Sequence, residues 1–383
     1  MRTRYAAAAL VLLGATALAG CGSDDAPSSD PTPASGSATT RPTTSTSTPA
    51  ATPTRTPDPT SGTSQPVGSP DDPAAVEPVT DLLDWQPLPG AVIDTVTTNG
   101  EWTLTVDELA TRARLDGPRP VTVPAGRMGQ ISDAFLDEER AVIVVQDRRE
   151  QRPAVAHVID LGSGDVWQVD ARSDVPTTTG GTWAMGEDSL VHATLDASAY
   201  CLATVDLETR ESTLGWCAPE RHGFNSALIS DEGTTLLTFD DSQPSCRTVA
   251  DVDGATLTPY AGVESCKGWE GLALDDGAVW SVVPQERRID SAHYYARSGE
   301  SWLDLGPGTS GTLLWCDGAA YWSLDPQTTG DPARLMRWDG TQLAVVYESP
   351  GGQAFIPIAR CGGEHLSLSA LAEGGDEQVS AAL

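Results

Sequence analysis

The sequence predicts an all-β fold built from a repeated four-stranded unit. Three observations carry this prediction. Helical periodicity is scarce from about residue 79 to 383, where short β-branched and aromatic runs such as Ala141-Val142-Ile143-Val144-Val145 and Thr234-Thr235-Leu236-Leu237-Thr238 alternate with turn residues. A tight polar or glycine turn followed by a strand with large apolar residues near its start then recurs along this region. It reads Asn99-Gly100-Glu101-Trp102, Glu139-Arg140-Ala141-Val142, Glu187-Asp188-Ser189-Leu190, Glu232-Gly233-Thr234-Thr235, Asp276-Gly277-Ala278-Val279, Asp317-Gly318-Ala319-Ala320 and Gly362-Gly363-Glu364-His365. The marks at 100, 140, 188, 233, 277, 318 and 363 are spaced by 40, 48, 45, 44, 41 and 45 residues. Finally, Asp-Leu pairs such as Asp206-Leu207 and Asp160-Leu161 punctuate the later part of a unit as hairpin turns into an outer strand.

Units of about 44 residues with this pattern resemble the blades of a seven-bladed β-propeller, each blade a four-stranded sheet with strands A to D from the inside outwards. The resemblance implies that each recurring turn joins strand A to strand B. In unit 3 the expected strands are about 182–186, 190–195, 201–206 and 212–216. Unit 7 has two strands after its turn, near 366–371 and 378–383, whereas an extra segment, 80–89, precedes the first inner strand, expected at 91–97. That segment is expected to supply the outer strand of the last blade and so remove an open sheet edge. The motif of Trp-Asp-type repeats is absent, and Trp338-Asp339 stands alone in an expected C–D turn. The competing arrangement is a tandem of two β-sandwiches.

The preceding residues divide into two segments. Residues 1–20 carry Arg2 and Arg4, then an apolar run of about 14 residues from Ala6 to Ala19, too short to cross a bilayer comfortably. The run ends in Leu18-Ala19-Gly20-Cys21, which resembles the lipobox of bacterial lipoproteins. The resemblance implies a signal peptide cleaved before Cys21, a diacylglyceryl group and fatty acid such as palmitate on that cysteine, and a chain anchored on the extracytoplasmic face of the cell membrane. Residues 21–78 are mainly Ser, Thr, Pro, Gly, Ala and Asp, with Val67 and Val76 the only branched apolar residues, so a disordered spacer is expected, roughly 40–45 Å across as a coil. Its Thr43-Thr44-Ser45-Thr46 tract is of the kind that carries O-glycans or serves as bare linker. The propeller is expected over 79–383.

With Cys21 assigned to lipid, six cysteines remain, an even number in an oxidising compartment. In the propeller register Cys201 and Cys246 fall at the start of C strands, and Cys217 and Cys266 at the end of the D strands that follow. Antiparallel neighbours bring those ends together, which predicts Cys201–Cys217 and Cys246–Cys266. Cys316 and Cys361 precede the A–B turns of units 6 and 7, which predicts an inter-blade bond. Trp102, Trp280 and Trp322 share the start of strand B and are expected to pack between blades.

Composition and motifs limit the function. The 383 residues hold 54 acidic and 23 basic side chains, a net charge of −31, with Lys267 the lone lysine. Such acidity argues against sequence-independent nucleic-acid binding. The five histidines are scattered, and no H-E-x-x-H, G-x-S-x-G, Walker or clustered Cys/His motif occurs, so no catalytic residue, metal or cofactor is assigned. Asp251-Val252-Asp253-Gly254 lacks the distal glutamate of a calcium loop and reads as a C–D turn. Basic residues instead gather in the B–C and D–A connections, which share one rim of a propeller. Arg148, Arg149, Arg221, His222, Lys267, Arg287 and Arg288 form the candidate ligand rim, with Arg127, Arg152, Arg172, Arg247 and Arg334 beside them. Acidic neighbours such as Asp147 and Glu150 offer local neutralisation as the competing account. The function expected is a membrane-anchored binding module of the cell envelope. Its partner would be an envelope protein, a glycan or a small anionic ligand. The alternatives are an extracytoplasmic hydrolase or lyase using residues among Arg221, His222, Asp241, Asp290 and Asp325, and a passive structural protein.

Overall fold

The computed structural model describes residues 68–284 and 291–383. Cys21, the signal segment and most of the spacer lie outside the described residues, as do Arg287, Arg288 and Asp290. Among the described residues every regular element is a strand, and no helix is long and apolar enough to cross a membrane.

These strands form six hydrogen-bonded sheets. Units 1, 3 and 4 (95–124, 183–217 and 223–259) are antiparallel four-stranded meanders in the order A-B-C-D. Units 5 and 6 (268–308 and 314–348) repeat this and gain a fifth strand, while units 2 and 7 (129–169 and 355–382) share an eight-stranded sheet. The two halves of that sheet meet through a parallel pairing of Gly362 with Leu136. All the expected A–B turns fall between strands. Unit 3 comprises Trp183–Met185, Ser189–Asp196, Ala199–Asp206 and Ser212–Cys217, close to the expected bounds. The first inner strand differs. It is Thr95–Thr98, because Asp94 N closes a turn onto Ala91 O at 2.9 Å and leaves Ile93 exposed.

Local chemistry explains why the turns sit where they do. Asn99 Oδ1 accepts from Trp102 N at 2.8 Å, Asp137 Oδ1 from Glu139 N at 2.7 Å, and Asp206 Oδ1 from Thr209 N at 2.7 Å. Each side chain takes up an N–H that the ladder leaves free at the reversal.

Packing between sheets builds the core. The layer between units 1 and 2 contains Trp102, Leu104, Leu115, Ile131 and Ile143. The layer between units 5 and 6 contains Tyr294, Trp322 and Trp338, with Tyr294 and Trp322 stacked at 4.6 Å. Unit 7 packs on unit 1, where Ser367 Oγ accepts from Thr98 N at 3.2 Å, so the succession of sheets returns to its start. The A strands are innermost and touch one another; those of units 4 and 6 meet, as do those of units 7 and 2. Gly362 is required at the second meeting, since a Cβ there would strike Thr98 O. Trp102, Trp280 and Trp322 are all buried, as expected of packing residues.

The N-terminal chain runs along the outside of three sheets. Ala74–Ala75 pairs in parallel with Ser301–Gly308, Val79–Thr80 in parallel with Leu343–Glu348, and Gln86–Pro87 antiparallel with Glu377–Ala382. The last pairing gives unit 7 the outer strand it lacked. The first corrects the boundary at residue 79. Chain assigned to the spacer is already sheet at Ala74, because the unpaired edge of unit 5 satisfies backbone groups that side chains of this composition cannot.

Cys201–Cys217, Cys246–Cys266 and Cys316–Cys361 are bonded. One detail of the register differs. Cys266 lies in the D–A loop just ahead of Gly268–Leu274 and not at the end of Thr256–Pro259, so its bond ties that loop to the start of strand C of unit 4. Closing 45 residues should constrain the unfolded chain more than closing 16. Replacing Cys316 and Cys361 by Ser is expected to lower unfolding free energy by about 4 kcal/mol, against about 3 kcal/mol for the Cys201/Cys217 pair. Urea unfolding under non-reducing conditions checks the order.

Candidate functional site

One end of the ring collects the D–A and B–C loops, because strand A starts there and strand B ends there. The basic residues of these loops separate into two corners. In unit 2 the B–C loop follows Arg140–Asp147. Arg148 donates through its backbone N to Met128 O at 3.0 Å and through Nη2 to Leu109 O at 3.3 Å, so it straps this loop to the neighbouring sheet. Arg149 is exposed beside it. Arg152 pairs with Asp147 at 3.2 Å, and that bond is the main reason the Asp147 carboxyl lies below its ordinary range. In the next D–A loop Arg172 forks onto Asp170 at 2.7 and 3.2 Å.

The second corner lies over unit 4, where the structure brings Arg221, His222 and Lys267 of the candidate rim onto adjoining loops. Arg221 takes the left-handed conformation, φ 65°, and its guanidinium pairs with Asp241. His222 Nδ1 donates to Glu220 O at 2.9 Å. Asp240 Oδ1 accepts from Ser242 Oγ at 2.5 Å and from Cys246 N at 2.8 Å; the Ser242 bond is the first cause of its lowered pKa. The Cys246–Cys266 bond then joins this loop to the one bearing Lys267, which pairs with Glu264. Arg247 lies over the Trp269 ring at 4.6 Å, a cation–π contact. Arg221, Lys267, Arg152 and Arg172 are thus each matched by a near neighbour, as local neutralisation expects. The corner retains a fixed frame of mixed charge around an aromatic ring. Of the proposed catalytic set it gathers Arg221, His222 and Asp241; Asp325 sits two units on, with its backbone N on Thr309 Oγ1 at 3.2 Å. Among the described residues no group of three His, Cys, Asp or Glu side chains is placed to hold a metal ion.

Sequence reasoning missed the charged groups of the inner strands. The A strands of units 2, 4, 5 and 7 carry a register shift near their start, between Ile131 and Asp133, Phe224 and Ser226, Gly268 and Glu270, and Phe355 and Ile358. Such bulges re-aim side chains, and two charged residues follow directly. Asp133 is half-buried, and desolvation pushes its carboxyl pKa up; Ser132 and the charge of Arg360 oppose the shift. Glu270 is buried, and burial raises its pKa to about 7. Its carboxyl accepts from Leu313 N at 3.1 Å, Tyr294 Oη at 3.2 Å and Ser281 Oγ at 3.4 Å, so it ties strand A of unit 5 to the D–A loop entering unit 6. The available signal was a charged residue inside an apolar strand, as in Trp269-Glu270-Gly271-Leu272 and Ala359-Arg360-Cys361.

With sheets packed in a closed succession about their innermost strands, the architecture is that of a β-propeller. No protein-family model matches the chain, and no curated protein matches it. Among solved structures it is similar to the β-propeller domain of the Trilobed protease from Pyrococcus furiosus, at 10% identity and a TM-score of 0.51, over 74% of this chain and 97% of that one. It is also similar to a prolyl endopeptidase (13% identity, TM-score 0.48, 79% of this chain and 47% of that one) and to an oligogalacturonate lyase in complex with manganese (11% identity, TM-score 0.46, 78% and 85%). At these identities the likeness concerns the fold alone.

Because folding raises the Glu270 pKa from an ordinary 4.5 to about 7, it favours the protonated form. The associated stability is complete below the ordinary pKa and is lost as pH rises through about 7, in total roughly 3 kcal/mol. Glu270→Gln, whose amide suits the same backbone and hydroxyl partners, is expected to flatten the fall in urea midpoint between about pH 5 and about pH 8. An unchanged slope would assign the pH dependence elsewhere.

Proposed function

We propose that the chain is a lipid-anchored extracytoplasmic protein whose propeller is a binding module of the cell envelope. We read each four-stranded unit as one blade, which divides the eight-stranded sheet in two and makes the ring seven-bladed. The anchoring half of the reading is supported by Leu18-Ala19-Gly20-Cys21, with lipid on Cys21 and the spacer lifting the domain off the membrane. The binding half is carried by one observation: over unit 4 the Arg221–Asp241 pair ties the loop of Arg221 and His222 to the B–C loop, which the Cys246–Cys266 disulfide joins to the loop of Lys267. On a strongly acidic body, these paired basic side chains are the donors an anionic group finds at that end. The partner class is therefore an anionic envelope component, whether glycan, protein or small ligand. Arg148, Arg149, Arg287 and Arg288 extend the same rim in this reading.

Two measurements test the halves separately. Cys21→Ser is expected to lose fatty-acid labelling and to move the protein from the membrane fraction to the medium; retention in the membrane fraction counts against the anchor. Envelope extract passed over immobilised protein is expected to leave a bound anionic component that elutes with salt. Arg148→Ala, Arg149→Ala, Arg221→Ala and Lys267→Ala together should reduce its retention at least roughly tenfold, as the loss of several charge-assisted contacts implies. Equal retention would defeat the binding face.

A further inference from the structure

We propose that the axis of the propeller contains a seat for a small oxyanion, a phosphate or carboxylate group, held by the guanidinium of Arg360 and the hydroxyl of Ser132. The floor of this seat is the parallel pairing of Gly362 with Leu136, where the inner strands of units 7 and 2 close on one another across unit 1. Both strands run from the mouth towards this pairing. Two residues back along Phe355–Gly362 lies Arg360, and three residues back along Gly129–Leu136 lies Asp133, next to Ser132 at the bulge. The strand geometry therefore sets these residues at about the same depth, just above the floor.

Two of them are incompletely satisfied. Arg360 Nε is buried and has no hydrogen-bond partner among the described residues. Burial disfavours the charge of Arg360, and the charge acting in its favour is that of Asp133. Desolvation in turn raises the pKa of the Asp133 carboxyl, so this pair is costly to keep ionised. Ser132 Oγ is also buried without a hydrogen-bond partner among the described residues, and it lies near enough to the Asp133 carboxyl to oppose the rise in its pKa. A buried guanidinium with an unpaired N–H is costly, and such groups in a folded protein call for a partner. The guanidinium fork and the serine hydroxyl are donors. Donors converging from two strands match an oxyanion, which accepts in several directions and receives an arginine fork in the plane of two oxygens.

The seat does not rest on the rim reading, because Arg360 and Ser132 lie on inner strands and the rim residues on mouth loops. Thermal unfolding of the full chain in inorganic phosphate or in acetate, with chloride at matched ionic strength as reference, tests it. The unfolding temperature of the wild type is expected to rise with one of these anions beyond the chloride reference; phosphate alone identifies a phosphoryl group, and acetate a carboxylate. Arg360→Gln should abolish the rise, and Ser132→Ala should weaken apparent affinity roughly tenfold. Arg221→Ala with Lys267→Ala should leave it intact, whatever that variant does to envelope binding. Should Arg360→Gln fail to fold, Arg360→Lys keeps the charge without the fork and is expected to weaken affinity roughly tenfold or more. No anion-specific rise in the wild type, or an equal rise in Arg360→Gln, or unchanged affinity in both Ser132→Ala and Arg360→Lys, overturns the proposal.

Discussion

A sheet in the middle of this molecule has two apolar faces, and only neighbouring sheets are available to cover them. Strand Ala319–Leu324 shows the constraint most plainly, since it is buried along its whole length. Ala320, Trp322 and Leu324 enter the layer shared with unit 5, while Ala319 and Tyr321 enter the layer shared with unit 7. No open stack of such sheets satisfies its two ends. The succession must return to its start, and the packing of unit 7 on unit 1 is what makes the remaining structure affordable. Once the sheets are closed, their inner strands are forced together, and the charged residues that fall on them are partly or wholly shielded from bulk water.

The closed geometry also explains the distribution of charge. Acidic side chains are concentrated where the chain reverses, because Asp137, Asp206 and Asp240 each satisfy free backbone N–H groups there. Much of the net charge of −31 thus follows from turn chemistry. Basic residues at the mouth are matched locally and act more as struts than as a continuous positive surface. Arg148 holds a loop to the next sheet and Arg221 holds two loops of one corner together. The inner strands are different in kind, since their charged groups, Asp133, Glu270 and Arg360 among them, are strongly desolvated.

How much of this was legible in the sequence depended on the range of the interaction. Turns such as Asn99-Gly100 and the spacing between them are local, and they marked every A–B junction. Cys201–Cys217 was legible because both residues lie in one hairpin whose register fixes their meeting. Cys316–Cys361 followed from equivalent positions in adjacent repeats. Cys266 was misplaced by a few residues because the loop after Thr256–Pro259 obeys no period. The edge pairing of Ala74–Ala75 was invisible, since two alanines in a Pro-rich tract carry no strand signal and gain their order from the sheet they meet. The corner over unit 4 was only half visible: its basic residues were apparent, but the ion pairs that tie them down were not. Arg360 became a neighbour of Ser132 and Asp133 only through the closure of the ring.

The outer strap of residues 68–88 has a consequence for the order of folding. Gln86 and Pro87 leave the ribosome before any of the sheets, yet their partners Ser380 and Val379 emerge almost last. The bond from Gln378 Nε2 to Asp94 O spans 284 residues of chain, and that from Trp85 Nε1 to Val346 O spans 261. Contacts of such separation pay their loop-closure entropy late and form slowly. Early sheets can assemble pairwise as they appear, but the final one waits for a strand that has been unpaired since the beginning of synthesis. The commitment step of folding is therefore the return of the first segment to the last, and until it occurs the newest sheet presents a bare edge to whatever chain is nearby.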